Sequence, residues 1–148
     1  MIKILKKQVL CLLICVLLGI HVFAVCSTAI TASEPSIKLL NIPAYGSRIE
    51  NLTGVILGGI ANDYQLGVYI FVDGWRTKQV EKINNDGYWI CDITTQNNDW
   101  AATHIAVFLL TKDSDLPILN NDKVIPTTLF DKALYYDEIV RKPMINSR

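Results

Sequence analysis

Across 148 residues, 14 basic and 14 acidic side chains cancel, and 51% of positions are hydrophobic. Without a cluster of lysines and arginines the chain lacks the charge pattern of a nucleic-acid binder. With two histidines and four cysteines in all, it also has few of the ligands that a transition-metal site needs.

The chain opens with Lys3, Lys6 and Lys7 and then runs uncharged from Val9 to Val25. A basic start followed by an apolar stretch is the pattern of a secretory signal. Ser27 and Ala29 fall at the −3 and −1 spacing of a signal peptidase site, so residues 1–29 read first as a signal peptide cleaved after Ala29, with cleavage near Ser27 or Ala32 as the alternatives. Second in order is an uncleaved signal anchor, since the apolar stretch extended to Ala32 reaches the ~20 residues that span a bilayer, with the lysines inside. Third is a lipoprotein anchored at Cys26, where the bulky Val25 precedes the cysteine. All three place the folded part outside the cytoplasm and touch a membrane only through this segment.

Without that segment, 11 basic side chains face 14 acidic ones, a net charge of −3. Cys11, Cys15 and Cys26 leave or lie beside the signal, so Cys91 stands alone with no intrachain disulfide partner. A domain of about 115 residues buries enough apolar surface to fold without one.

Thr31–Ser36 is small and polar with a proline, and residues 30–36 read as a linker. From Ile37 the chain becomes short β-like runs separated by turn residues. Ile37–Ile42 stops at Pro43, and Leu52–Leu57 closes on Gly58-Gly59. Leu66–Val72 carries Leu66, Val68, Ile70 and Val72 on one face and Tyr69 and Phe71 on the other, which is the mark of a central strand. Gln79–Ile83 is a shorter run with Val80 and Lys82 opposite Glu81 and Ile83. Asn84-Asn85-Asp86-Gly87 is a turn. Tyr88–Ile93 then puts Trp89, Cys91 and Ile93 on one side. Thr94–Trp100 is a polar loop, Thr103–Thr111 a long strand, and Asp113–Lys123 a loop. Thr127–Leu134 reads as a helical turn capped by Thr128, Tyr135–Arg141 as the last strand, and residues 143–148 as a tail.

The resulting expectation is an all-β domain over residues 37–142. It is an immunoglobulin-like antiparallel β-sandwich of about seven strands, preceded by an N-terminal signal or anchor helix. The Cys-Trp-Cys signature of antibody domains is absent, as are internal repeats and low-complexity tracts.

No catalytic constellation emerges. His104 is the one histidine outside the signal and sits inside a strand, where it reads as a surface or sheet-edge residue. Cys91 would be a nucleophile only if paired with His104, and its alternation with Trp89 and Ile93 instead points it into the core. No G-x-S-x-G elbow is present. Asp113 and Asp115, or Asn97, Asn98 and Asp99, offer oxygen ligands for calcium without EF-hand spacing, and turn chemistry accounts for them. Paired carboxylates for glycoside hydrolysis need a cleft that sequence spacing in a sheet does not report. Asn51-Leu52-Thr53 matches a glycosylation acceptor, a match frequent by chance. Nothing calls for a cofactor or a metal.

Aromatic residues carry the most functional information. Trp75 follows the Asp73-Gly74 turn, Trp100 ends the loop begun at Thr94, and Tyr45 lies in the Pro43–Arg48 loop. Loop-borne rings offer flat faces to a sugar or to a partner's side chains; otherwise they fold back over the ends of the sandwich. Trp89 belongs to the core.

The motifs Pro43-x-Tyr45-Gly46, Leu52-x-Gly54, Val68-Tyr69-Ile70, Gly74-Trp75-x-x-Lys78, Asp86-Gly87-x-Trp89-x-Cys91-Asp92-Ile93-Thr94-Thr95, Asp99 and Ala102-Thr103-x-Ile105-Ala106 form a pattern over Lys38 to Arg141. It resembles a β-sandwich accessory module of bacterial secreted glycoside hydrolases and other exported proteins. The resemblance implies a bacterial, extracytoplasmic, non-catalytic module and carries over no site residues. The expected function is binding of carbohydrate or another cell-envelope ligand through Trp75, Trp100 and Tyr45. An envelope protein-interaction or structural subunit, using a sheet edge or the strand around Tyr135-Tyr136, is the alternative, and a small hydrolase comes last.

Overall fold

The computed structural model describes residues 33–96 and 98–143. The signal or anchor reading, cleavage after Ala29, lipidation at Cys26 and most of the tail fall outside the described residues.

Among the described residues nine strands alternate with turns: β1 (Ser36–Asn41), β2 (Leu52–Leu57), β3 (Tyr64–Phe71), β4 (Trp75–Lys78), β5 (Val80–Ile83), β6 (Tyr88–Cys91), β7 (His104–Thr111), β8 (Asn120–Asp122) and β9 (Tyr135–Val140). A single α-helix among the described residues, α1 (Thr127–Lys132), precedes β9. The strands form a four-stranded sheet in the order β1-β2-β6-β5 and a five-stranded sheet in the order β8-β4-β3-β7-β9. All pairings are antiparallel.

Period-2 alternation explains how the sheets meet. Leu52, Ile56, Trp89 and Cys91 of the four-stranded sheet share one core with Leu66, Val68, Ile70, Ile105, Val107 and Leu109 of the five-stranded sheet. Strands β3 and β7 are apolar on their other face too. There Tyr69, Ala106, Phe108 and Leu110 form a second buried cluster with Leu119 and with Leu129 of α1. β3 is accordingly the central strand of its sheet.

Several expectations need correction. The strands among the described residues number nine rather than about seven. β4 has only Trp75 as a large apolar residue and is a strand because it folds back on β3, pairing Phe71 with Trp75 and Val68 with Lys78. β8 is polar and fully exposed, and its pairing with Trp75 and Arg76 makes it a strand within what reads as a loop. In β5 a register shift between Val80 and Lys82 changes the phase. Val80 and Ile83 therefore both pack on the core while Lys82 is exposed, because a bulge adds a residue and resets the alternation. Thr128 does not cap α1; Pro126 holds that position with extended backbone and no side-chain bond.

Two glycines are dictated by close approach. Gly87 adopts φ 83° in the turn before β6 and donates its N–H to the Asn84 carbonyl at 2.9 Å. Gly54 pairs across the sheet with Trp89, whose fully buried ring lies over it. A Cβ at Gly54 would stand 2.6 Å from Trp89 Cζ2 and 2.9 Å from the Lys38 carbonyl oxygen. Gly54→Ala is expected to lower stability by about 1–3 kcal/mol, the usual cost of overpacking. It should appear in chemical denaturation as a lower midpoint with an unchanged slope.

Candidate functional site

The β6–β7 connection is built around a buried carboxylate. Asp99 opens a short 3-10 turn, Asp99–Ala101, and is 0% exposed. Its Oδ2 accepts the Gln96 backbone N–H at 2.7 Å and a charge-assisted bond from Lys78 Nζ. Its Oδ1 faces Arg76 Nη1 at 3.3 Å. Lys78, itself buried, also donates to Thr95 Oγ1 at 2.8 Å. A carboxylate neutralised by two cations is committed to holding the loop, so the calcium reading of this stretch gains nothing from Asp99. Among the described residues no group of three or more His, Cys, Asp or Glu is placed to hold a metal.

This turn fixes Trp100 and, through it, Tyr45. The Trp100 carbonyl accepts the Gly46 N–H at 2.9 Å, which ties the β1–β2 connection to the β6–β7 connection. Arg48 places its guanidinium carbon 4.7 Å from the Trp100 ring centroid, a cation–π distance. Arg141, just past β9, donates from Nη2 to the carbonyls of Ala44 and, at 3.5 Å, Trp100. Burial pushes its pKa below the usual arginine value, and the Tyr45 phenol partly offsets this. Tyr45 and Trp100 are both half-buried, so these rings cover one end of the domain, backed by two arginines.

Trp75 belongs to a different surface. It is the first residue of β4 rather than a loop ring, and it meets Phe71 edge-on at 5.4 Å between centroids. On the outer face of the five-stranded sheet it lines a shallow cleft of about 190 Å³ with Phe108, Phe130 and Tyr136, and with Lys123 and Glu138 beside them. Phe108 stacks on Tyr136 at 5.7 Å, and Phe130 meets both rings edge-on at 5.0 and 5.3 Å. Phe130 is 39% and Tyr136 54% exposed. In the sequence Tyr136 stands out only as part of a strand, and Phe108, Phe130, Lys123 and Glu138 carry no signal of their own. The available signal was alternation in β9, which puts Tyr136, Glu138 and Val140 outward; the Phe108–Tyr136 pairing lies beyond any local pattern.

Comparison with known proteins places no other chain beside this one. No family model, curated protein or solved structure matches it.

The groups weighed for nucleophilic chemistry lie apart. Cys91 is fully buried between the sheets and donates its thiol to the Gln79 carbonyl at 3.4 Å. His104 points to the opposite face of the five-stranded sheet from Ile105, against Phe71 and Trp75, with Nδ1 2.9 Å from Thr103 Oγ1. Burial raises the Cys91 thiol from 9.0 to about 12 and the Tyr69 phenol from 10.0 to about 12.

Two expectations follow from these environments. Between about pH 9 and 12 the unfolded chain gives up the Cys91 and Tyr69 protons that the fold retains. Stability from these groups is therefore complete below pH 9 and falls as pH rises toward 12. Denaturant midpoints across that range check the sign, and native Cys91 should resist thiol reagents that modify it after unfolding. Asp99→Ala leaves the Lys78 ammonium buried and unpaired and should cost about 3–5 kcal/mol. Adding Lys78→Met should restore much of that loss in the same denaturation assay.

Proposed function

We propose that the β domain is an exported, non-catalytic module that binds carbohydrate or another cell-envelope ligand, with the outer-face cleft as its principal site. The observation that carries this reading is the cleft lined by Trp75, Phe130 and Tyr136 over the buried Phe108, with Phe130 and Tyr136 39% and 54% exposed. Its volume of about 190 Å³ is below the roughly 300–1,000 Å³ of pockets that enclose drug-sized ligands, so it suits one ring of a longer chain. Aromatic faces stack on such a ring, and Lys123 and Glu138 supply a donor and an acceptor for hydroxyls. Trp100 and Tyr45 remain a second contact region at the end of the domain.

The architecture we infer is an immunoglobulin-like sandwich. The order β1-β2-β6-β5 against β4-β3-β7-β9 corresponds to strands A-B-E-D against C′-C-F-G, with β8 added outside. Trp89 falls on the E-type strand rather than on C, consistent with the missing antibody signature. The accessory-module resemblance and the export signal favour an extracytoplasmic setting, and the separation of Cys91 from His104 favours a non-catalytic role.

A second reading is a protein-interaction subunit that accepts an extended strand of an envelope protein along β9. It draws on β9 being the last strand of its sheet with Tyr136 and Val140 exposed at 54% and 57%. Crosslinking in cells through β9 would capture such a partner, and its absence counts against this alternative.

Retention on insoluble polysaccharides tests the first reading. The Trp75→Ala/Tyr136→Ala variant should lose roughly tenfold or more in affinity, the scale of losing aromatic anchors. Equal retention of wild type and variant would remove the cleft from the account. Trp100→Ala reports separately on the end of the domain.

A further inference from the structure

Arg141 is 5% exposed, and its surroundings use only part of its hydrogen-bonding capacity. Its backbone N–H is bound to the Thr103 carbonyl at 2.6 Å, which fixes the residue at the start of β7. Nη2 donates to Ala44 and Trp100, whereas Nε and Nη1 are buried with no hydrogen-bond partner. A guanidinium carries five N–H donors, so three are left unpaired. Among the described residues the ion pairs are those that Asp99 makes with Lys78 and Arg76, and Arg141 has no share in them. Lys78, equally buried, is paired; among the described residues Arg141 is a buried cation without a counter-charge, an arrangement that is strongly unfavourable.

A brace between the Ala44 turn and Trp100 needs only the Nη2 group. It gives no reason for a full guanidinium with three further donors turned inward. We propose that Arg141 anchors an anion site at this end of the domain, where a carboxylate or phosphate group of a ligand takes the Nε–H and Nη1–H donors. Arg48, stacked on Trp100, supplies a second positive charge. The Pro43–Arg48 turn is the cover. It is held by the Gly46–Trp100 and Arg141–Ala44 bonds and by the Arg48 carbonyl to Thr94 Oγ1 at 3.4 Å, and the ligand enters by lifting it. The proposal is independent of the outer-face cleft.

The test follows the Arg141 Nε–H resonance by NMR in the full chain during separate titrations with sodium phosphate, sodium acetate and sodium chloride at matched ionic strength. A saturable shift with phosphate or acetate, and none with chloride, supports the site, and the stronger of the two anions identifies the group it prefers. The same response to all three salts, or shifts that rise without saturating, overturns it. Arg141→Gln should weaken the anion response at least about tenfold, read at the Trp100 indole N–H. An indole response that persists in Arg141→Gln also overturns the proposal. Should that variant fail to fold, Arg48→Gln gives a second measure, with binding weakened severalfold and the fold retained. The wild-type titration decides in either case.

Discussion

The pairing of Asp99 with Lys78 sets the geometry on which the Trp100 end of the domain rests. β4 runs in the five-stranded sheet and β5 in the four-stranded sheet, with only Gln79 between them. A chain that changes sheets in one residue needs its crossing point fixed, and Lys78 ends β4 there with its ammonium on Asp99 and Thr95. The Gln79 carbonyl accepts the Cys91 thiol, so the crossing is held from the core side as well. Buried ion pairs seldom add net stability over a well-packed apolar alternative. What this one supplies is position, because Trp100 follows Asp99 directly and inherits its placement.

Packing determines where aromatic surface remains. The space between the sheets is closed by Trp89 lying on Gly54 and by the branched side chains facing them. The outer side of the five-stranded sheet is covered less completely. The Leu116–Leu119 segment crosses it, with the Pro117 carbonyl accepting from Tyr69 Oη at 3.1 Å and Thr77 Oγ1 at 3.3 Å, and α1 brings Leu129 down on the same cluster. A helix of six residues covers this face only in part: Phe130 reaches Tyr136 of β9 at 5.3 Å and leaves it 54% exposed. Phe130 and Tyr136 consequently stay partly in solvent beside Trp75, and the exposed rings arise from incomplete cover rather than from long loops.

Local pattern made some of this legible and left the rest hidden. The β2 limits match the Leu52–Leu57 run, and β3, β6 and β7 follow from β-branched and aromatic alternation, which also placed Cys91 and Trp89 in the core. The phase of β5 was not readable, because its bulge depends on how Val80 and Ile83 meet β6. β4 and β8 are strands by virtue of their partners, so Trp75 reads as a loop residue although it pairs with Phe71. Asp99 looks like one oxygen donor in a polar loop; its two cations lie 21 and 23 residues earlier, in a strand. Arg141 marks the end of β9 in the sequence, but its burial depends on a turn 97 residues away.

Charge separates the two surfaces. The segment after residue 29 is acidic overall, with 11 basic against 14 acidic side chains, yet Arg48, Arg76, Lys78 and Arg141 gather around Asp99 and Trp100. Asp99 is the one carboxylate that enters ion pairs among the described residues, and it answers only Arg76 and Lys78. At the outer-face cleft Lys123 and Glu138 balance, and the lining is otherwise apolar. Low-dielectric surroundings strengthen an unbalanced charge and leave a balanced pair nearly silent at a distance. The cleft is thus suited to an uncharged ring recognised by stacking and hydroxyl contacts, and the Arg141 end to a group that brings negative charge. A single ligand engaging both would have to carry both chemistries along its length, as a polymer with neutral and acidic units does.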